Sequence, residues 1–145
     1  MSNPVLLLHG FTGSVESTWN PTGIIELLND AGREVIAWDL PGHGSAEKHH
    51  EPELYADMEQ DLVARLPAGQ VDGVGFSMGA RTLLCMAAIA PEKFGKLVVA
   101  GVGRNLFERD EAQAERIAKG VQGDADQDDV HAQTFARYAA EPNQD

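Results

Sequence analysis

Ser77 is the residue of this sequence best placed for covalent chemistry. It stands in Gly75-Phe76-Ser77-Met78-Gly79, after a short apolar run and before a long apolar stretch of helical character. In that setting a serine becomes a nucleophile elbow, exposed on a sharp strand-to-helix turn. The turn brings neighbouring backbones so close that the residues two before and two after the serine must be small. Gly75 and Gly79 meet that demand, and Ala80 keeps the next position small. Ser77 would then sit at a helix start, where unpaired N–H groups and the helix dipole favour negative charge. A serine hydroxyl also needs a base to take its proton and a third group to orient that base.

Two further motifs lie at the ends of apolar runs. Val5 to Leu8 empties into the glycine-rich stretch His9-Gly10-Phe11-Thr12-Gly13-Ser14, and Val35 to Trp38 empties into Asp39-Leu40-Pro41-Gly42-His43-Gly44. The elements that must position these loops alternate along the chain. The run Val5–Leu8 reads as a strand covered on both faces. Ile24, Ile25, Leu27 and Leu28 form an apolar helical face that stops near Gly32. A second strand is predicted over Glu34–Leu40. Pro52 suits a first helical position, and Leu54, Met58, Leu62 and Leu66 recur every four residues, which predicts one amphipathic helix. Val71–Phe76 reads as a third strand, Met78–Ala90 as a buried helix ended by Pro91, and Lys96–Val102 as a fourth strand. Four strands separated by helices predict a parallel, doubly wound sheet, with ligands outside the carboxyl ends of its strands.

A strand with an H-G loop, a strand with a D-L-P-G-H-G turn and a strand with a G-x-S-x-G elbow follow one another in an order that resembles the α/β-hydrolase superfamily. The resemblance covers the first hundred or so residues. It implies α/β class: a three-layer α/β/α fold with a mainly parallel doubly wound sheet, with residues 1–104 as the N-terminal part of the core. It supports the backbone N–H groups of Met78 and Phe11 as donors to the negative charge that builds on a substrate oxygen. It also gives His9 and His43 loop-shaping roles. The expected reaction is attack by Ser77 on a small carbonyl substrate: an ester, a thioester or a carbon–carbon bond. No cofactor or metal is expected.

The base and acid are not where the superfamily order, nucleophile then acid then histidine, would have them. Four of the five histidines (His9, His43, His49 and His50) precede Ser77, and His131 alone follows it. Glu108 and Asp110 are the acid candidates after the fourth strand. Superfamily members usually run longer, so the expectation is a truncated α/β-hydrolase fold, the N-terminal portion of a longer hydrolase with little or no activity by itself. The missing C-terminal half would supply the acid and the histidine, and the edge left open at Lys96–Val102 is a pairing hazard that favours a dimer partner or aggregation. A non-catalytic module that binds a ligand or partner fits the same residues. A dinucleotide-binding oxidoreductase does not: Gly73-x-Gly75-x-x-x-Gly79 follows the third strand instead of the first, and the next strand ends without an acid.

Arg81 lies four residues after Ser77, on the same helix face. A cation at a helix start opposes the dipole and asks for a reason. It is either a clamp for a substrate carboxylate or the partner of Asp39 or Asp57. Gly-Phe-Ser-Met-Gly-Ala-Arg, with His-Gly-Phe-Thr-Gly-Ser upstream, is similar to the cyclohexadiene-carboxylate synthases of menaquinone biosynthesis, whose corresponding arginine contacts substrate; Ala80 replaces the glycine usual there. Trp19 and Phe76 are candidates for the pocket wall and equally for the core.

Composition narrows the partners. At 145 residues and 43 % hydrophobic, the chain has enough apolar residues for a compact core. A net charge of −12 argues against nucleic acid and anionic membranes. No run of eighteen apolar residues, no signal-like start and a single cysteine, Cys85, make a cytoplasmic location the expectation. Residues 108–145 hold ten acidic and four basic side chains and few apolar ones. They predict two polar helices broken near Gly120–Asp129, as the start of a helical cap (105–145) or as an acidic tail. The run Asp124-x-Asp126-x-Asp128 mimics the opening of an EF-hand loop. Asp129 at its sixth position and Phe135 at its twelfth exclude that reading.

Overall fold

The computed structural model describes residues 1–140; residues 141–145, the end of the segment expected as cap or tail, lie outside the described residues. Two compact units make up the chain, Met1–Val102 and Gly103–Asp145. In the first, β1 (Val5–Leu8), β2 (Val35–Trp38), β3 (Val71–Phe76) and β4 (Phe94–Ala100) form one sheet in the order β2-β1-β3-β4. All its pairings are parallel. The chain first steps from β1 to β2 on one side and then to β3 on the other. The crevice between the carboxyl ends of β1 and β3 is therefore the switch point where ligands enter such sheets.

Helices cover both faces, giving three layers. Side chains alternate along β1, so Leu6 and Leu8 pack with Leu62 and with Leu83 and Met86, from α3 (Met58–Ala64) and α4 (Met78–Ile89). Val5 and Leu7 face the other way and pack with Trp19, Val15, Ile24, Ile25 and Leu28. These come from α1 (Val15–Thr18), the turn that follows it, and α2 (Ile24–Asp30). All four side chains of β1 are buried, which is why this central strand shows no polar alternation in the sequence.

Three elements differ from the sequence reading, the second strand being shorter, Val35–Trp38, than the expected Glu34–Leu40. The single helix expected from Pro52 to Leu66 is a 3-10 turn, Pro52–Tyr55, followed by α3. Asp57 adopts a non-helical conformation (φ −107°, ψ 23°) at the break. Tyr55 is tied to the preceding loop instead, its hydroxyl accepting from His49 N–H at 2.7 Å and donating to His49 O at 3.0 Å. The fourth strand begins two residues earlier than expected, because pairing with β3 starts at Val71↔Phe94, and it ends before Gly101 at φ +72°. β4 is an edge strand with Val98 60 % and Val99 39 % exposed.

At the opposite end of the sheet Asp72 joins several segments. It accepts from Arg33 Nη2 at 2.7 Å, Asn3 Nδ2 at 3.2 Å and Lys96 N–H at 2.8 Å. Burial pushes its carboxyl up, but these donors outweigh burial and hold it below the usual carboxylate range.

The second unit contains α5 (Glu111–Val121) and α6 (Val130–Ala139), with the break between them where the sequence placed it. Asp129 caps α6 by accepting from the N–H groups of His131 and Ala132, each at 3.0 Å. Among the described residues no helix is long and apolar enough to cross a membrane.

Candidate functional site

Strand register brings the site together. Leu8 lies opposite Gly75, so two residues further along each strand Gly10 and Ser77 fall side by side. A methyl group added at Gly10 would lie 3.4 Å from Ser77 Cβ. On the other side Phe76 pairs with Ala100, and Ser77 N–H donates to Ala100 O at 2.8 Å. Gly101 is close enough that a Cβ there would sit 3.2 Å from Ser77 N and 3.0 Å from the Phe76 ring. Three loop segments, after β1, β3 and β4, thus converge on one serine.

The turn that carries Ser77 is strained. Its φ of +52° with ψ −113° lies in a region that costs a non-glycine residue about 1–3 kcal/mol. Glycines make room for it. A Cβ at Gly75 would meet Ala80 Cα at 2.6 Å, and one at Gly79 would collide with the carbonyl oxygens of Leu8 and His9. The Ser77 hydroxyl has no hydrogen-bond partner within Met1–Val102. Met78 occupies the first position of α4, where a backbone N–H has no intrahelical acceptor.

The facing loop is fixed from beneath by His9, which is fully buried. Its Nε2 accepts Leu40 N–H at 2.9 Å, so Nδ1 carries the proton and donates to Gly10 O at 2.8 Å. Burial holds this imidazole below its usual value, against the pull of the Gly10 carbonyl and Asp39. Gly13 N–H donates to Gly10 O at 3.0 Å, closing a turn with Phe11 and Thr12 at its centre. Thr12 sits at φ +61°, unusual for a β-branched residue, and its hydroxyl donates to Phe11 O at 2.6 Å. Thr12 and Ser77 are the two described non-glycine residues with positive φ, and both are in this loop cluster.

Asp39 braces the same loop from β2. Its Oδ1 accepts Val15 N–H at 2.7 Å and its Oδ2 accepts Ser45 N–H at 2.8 Å and Ser45 Oγ at 2.7 Å. Burial raises its pKa, but the donors at Ser45 and Val15 outweigh it and hold the carboxyl low. A Cβ at Gly44 would strike that carboxylate.

Asp39 is therefore committed elsewhere and is not the partner of Arg81. Arg81 is exposed on α4, and its guanidinium makes no ion pair within Met1–Val102. Phe76 and Phe11 stay 47 % and 39 % exposed, whereas Trp19 is packed in the core with Val5 and Leu7. The indole N–H of Trp19 is buried without a hydrogen-bond partner among the described residues. Sequence reasoning missed Thr12. A β-branched residue inside a glycine-rich turn is the signal that pointed to it. Among the described residues no group of three or more histidine, cysteine, aspartate or glutamate side chains is arranged to hold a metal ion.

Comparison with known proteins identifies the fold. A family model described as alpha/beta hydrolase fold matches residues 3–138. Esterase YbfF of Escherichia coli is 33 % identical over 103 residues, 67 % of this chain and 37 % of that protein. The 2-hydroxy-6-oxononadienedioate/2-hydroxy-6-oxononatrienedioate hydrolase 1 of Pseudomonas putida is 35 % identical over 104 residues, 68 % of this chain and 36 % of that protein. Among solved structures, VrEH2 superposes with a TM-score of 0.66 at 27 % identity, over 82 % of this chain and 39 % of its own. The chain spans little more than a third of the length of the curated relatives it matches.

Proposed function

The chain belongs to the alpha/beta hydrolase fold family, and we propose that Ser77 is the nucleophile of a hydrolase acting on a small carbonyl substrate. One observation carries the reading: Ser77 is held at φ +52° between two glycines that cannot accept a Cβ. Backbone strain maintained by such close packing is characteristic of functional turns. In this reading Ser77 Oγ attacks the carbonyl carbon, and the backbone N–H groups of Met78 and Phe11 stabilise the oxyanion. Loss of one such donor typically lowers the rate by about 10²–10³. The acid and the histidine base come from residues outside the described first unit.

Arg81 is then the clamp for a substrate carboxylate. Its exposure without an ion pair in its own unit supports this, as does its place one turn from Ser77. The Pseudomonas putida relative is named for a dioate substrate, which suits a cation at this position. A cyclohexadiene-carboxylate synthase-like substrate is a second carboxylate of the same kind. Phe11 and Phe76 supply the apolar wall, and the buried position of Trp19 favours a core role instead.

The competing reading is a module that binds a ligand without turning it over. The Ser77 hydroxyl without a histidine partner in its unit favours it. A fluorophosphonate ester and intact-mass detection separate the two. Nucleophilic Ser77 gives a single adduct that disappears in Ser77→Ala; labelling that survives that substitution, or none at all, overturns the proposal. With carboxylate-bearing esters Arg81→Ala raises KM about tenfold and leaves neutral esters unchanged, since a charge-assisted pair contributes roughly 1.5–3 kcal/mol.

A further inference from the structure

We propose that Asp72 is a positioning residue for the Ser77 turn: its carboxylate clamps a bulge in β4 whose extra residue sets which part of β4 reaches Ser77. The inference rests on the nucleophile role of Ser77 given above. Val71 pairs with Phe94 but Gly73 pairs with Leu97, so two steps along β3 correspond to three along β4. Gly95 and Lys96 therefore both lie opposite Asp72. Bulges are rare between parallel strands, and the extra residue is left outside the ladder.

The clamp is built from three segments. Lys96 N–H, in the bulge, donates to Asp72 Oδ1 at 2.8 Å. The same oxygen accepts Asn3 Nδ2 at 3.2 Å, and Oδ2 accepts Arg33 Nη2 at 2.7 Å. Arg33 Nη2 also donates to Asn3 O at 2.8 Å, so the carboxylate is held by the residues that precede β1 and β2. A side chain in the bulge would collide with it: a Cβ at Gly95 would lie 2.5 Å from Asn3 Nδ2 and 2.6 Å from Asp72 Oδ1. Packing follows the bulge. Phe94 and Leu97, three positions apart, belong to the same core cluster, which the two-residue period of a regular strand does not allow.

The consequence falls at the other end of the strand. From Gly73↔Leu97 the pairing runs regularly to Phe76↔Ala100, and Ser77 N–H donates to Ala100 O at 2.8 Å. Gly101 then stands where the chain leaves the sheet, at φ +72°. It has little room for a Cβ, which would sit 3.2 Å from Ser77 N and 3.0 Å from the Phe76 ring. Without the bulge the register would slip by one residue and Ala100 would take that place. Alanine brings a Cβ into the gap and disfavours positive φ. The slip would also turn Leu97 away from the core. The bulge thus delivers a glycine to the nucleophile turn, and Asp72 holds the bulge.

Three variants of the 145-residue chain test this: Asp72→Ala, Asp72→Asn, and Asp72→Ala with Gly95 deleted. Asparagine keeps an oxygen for Lys96 N–H and gives up the charged pair with Arg33. The deletion removes the extra residue and keeps the pairing from Leu97 onward. One readout is solvent exchange at the Ser77 amide, taken relative to the Leu7 amide in β1 so that a loss of overall stability cancels. The other is the rate of Ser77 labelling by a fluorophosphonate. In Asp72→Ala the relative exchange rises about tenfold and labelling slows about tenfold, as loss of a hydrogen bond to a charged group implies. In the other two variants both stay within about twofold of wild type. The proposal is overturned if Asp72→Ala matches wild type, or if either of the others behaves as Asp72→Ala does. Should Asp72→Ala not fold, recovery of the fold on deleting Gly95 supports the clamp, and failure of both forms overturns it. A wild-type Ser77 that resists labelling would sink the nucleophile reading alone, because amide exchange at Ser77 still tests Asp72.

Discussion

His9 accepts the Leu40 backbone N–H at 2.9 Å, and this one bond ties the loop after β1 to the loop after β2. Both groups are buried, and the second ring nitrogen of His9 is committed to Gly10 O. Truncation leaves the Leu40 N–H unpaired, at about 1–3 kcal/mol; Gly10 O keeps the Gly13 N–H but loses its second donor, and the emptied ring volume adds a cavity cost. His9→Ala should therefore lose roughly 3 kcal/mol or more in urea unfolding. A loss below about 1 kcal/mol would show that water or a rearranged loop replaces the imidazole.

Acid should weaken the fold in two stages. Burial holds His9 and His43 below the ordinary imidazole value of about 6.5. Below that pH the unfolded chain binds protons that the folded chain refuses, so stability falls until the folded values are passed. Asp39 and Asp72, held low by their donors, add a second loss below about pH 4. Unfolding midpoints measured from pH 8 to 3 check this. A flat profile between pH 7 and 5 would mean that the two imidazoles do not resist protonation.

Glycine positions separate close packing from mere flexibility. A Cβ at Gly79 runs into the carbonyl oxygens of Leu8 and His9, whereas Gly103 has nothing within 4 Å and needs no positive φ. Gly79→Ala is expected to cost more than 3 kcal/mol or to prevent folding, through overpacking against backbone that cannot move aside. Gly103→Ala should fall within about 0.5 kcal/mol of wild type. Equal melting temperatures for the two variants would contradict the turn geometry.

Strain at Ser77 predicts a trade between stability and chemistry. Glycine adopts φ +52° without a Cβ penalty, so Ser77→Gly should be more stable than wild type by about 1 kcal/mol, the strain relieved less the chain entropy lost. Ser77→Ala keeps the Cβ and should show no gain. Both lose fluorophosphonate labelling. Chemical denaturation of the three proteins side by side tests the ordering, and an alanine variant as stable as the glycine one would remove strain from the account.

Part of this architecture is local and was legible in the residues. β1 and β3, the helix after Ser77 and the break before α6 follow from apolar runs, proline, glycine and aspartate caps. These signals act within a few residues, so a sequence carries them directly. The small residues around Ser77 were legible for the same reason, since a sharp turn restricts its immediate neighbours. The break at Asp57 was not. The four-residue spacing of Leu54 and Met58 fits one helix, while the Tyr55 hydroxyl is held by a loop six residues away.

Tertiary structure decided the rest. Placing β1 between β2 and β3 sets Gly10 beside Ser77, 67 positions apart, and long-range pairing alone chooses that order. The same assembly gives Asp39 to Val15 and Ser45, leaving Arg81 without it. It also brings the His43 ring to Phe11 and holds Thr12 in a conformation its own side chain disfavours. The sequence by itself determined which residues can turn, cap and carry chemistry. Their meeting depends on packing energy summed over distant segments, which offsets the strain at Thr12 and Ser77 and which no single stretch of chain contains.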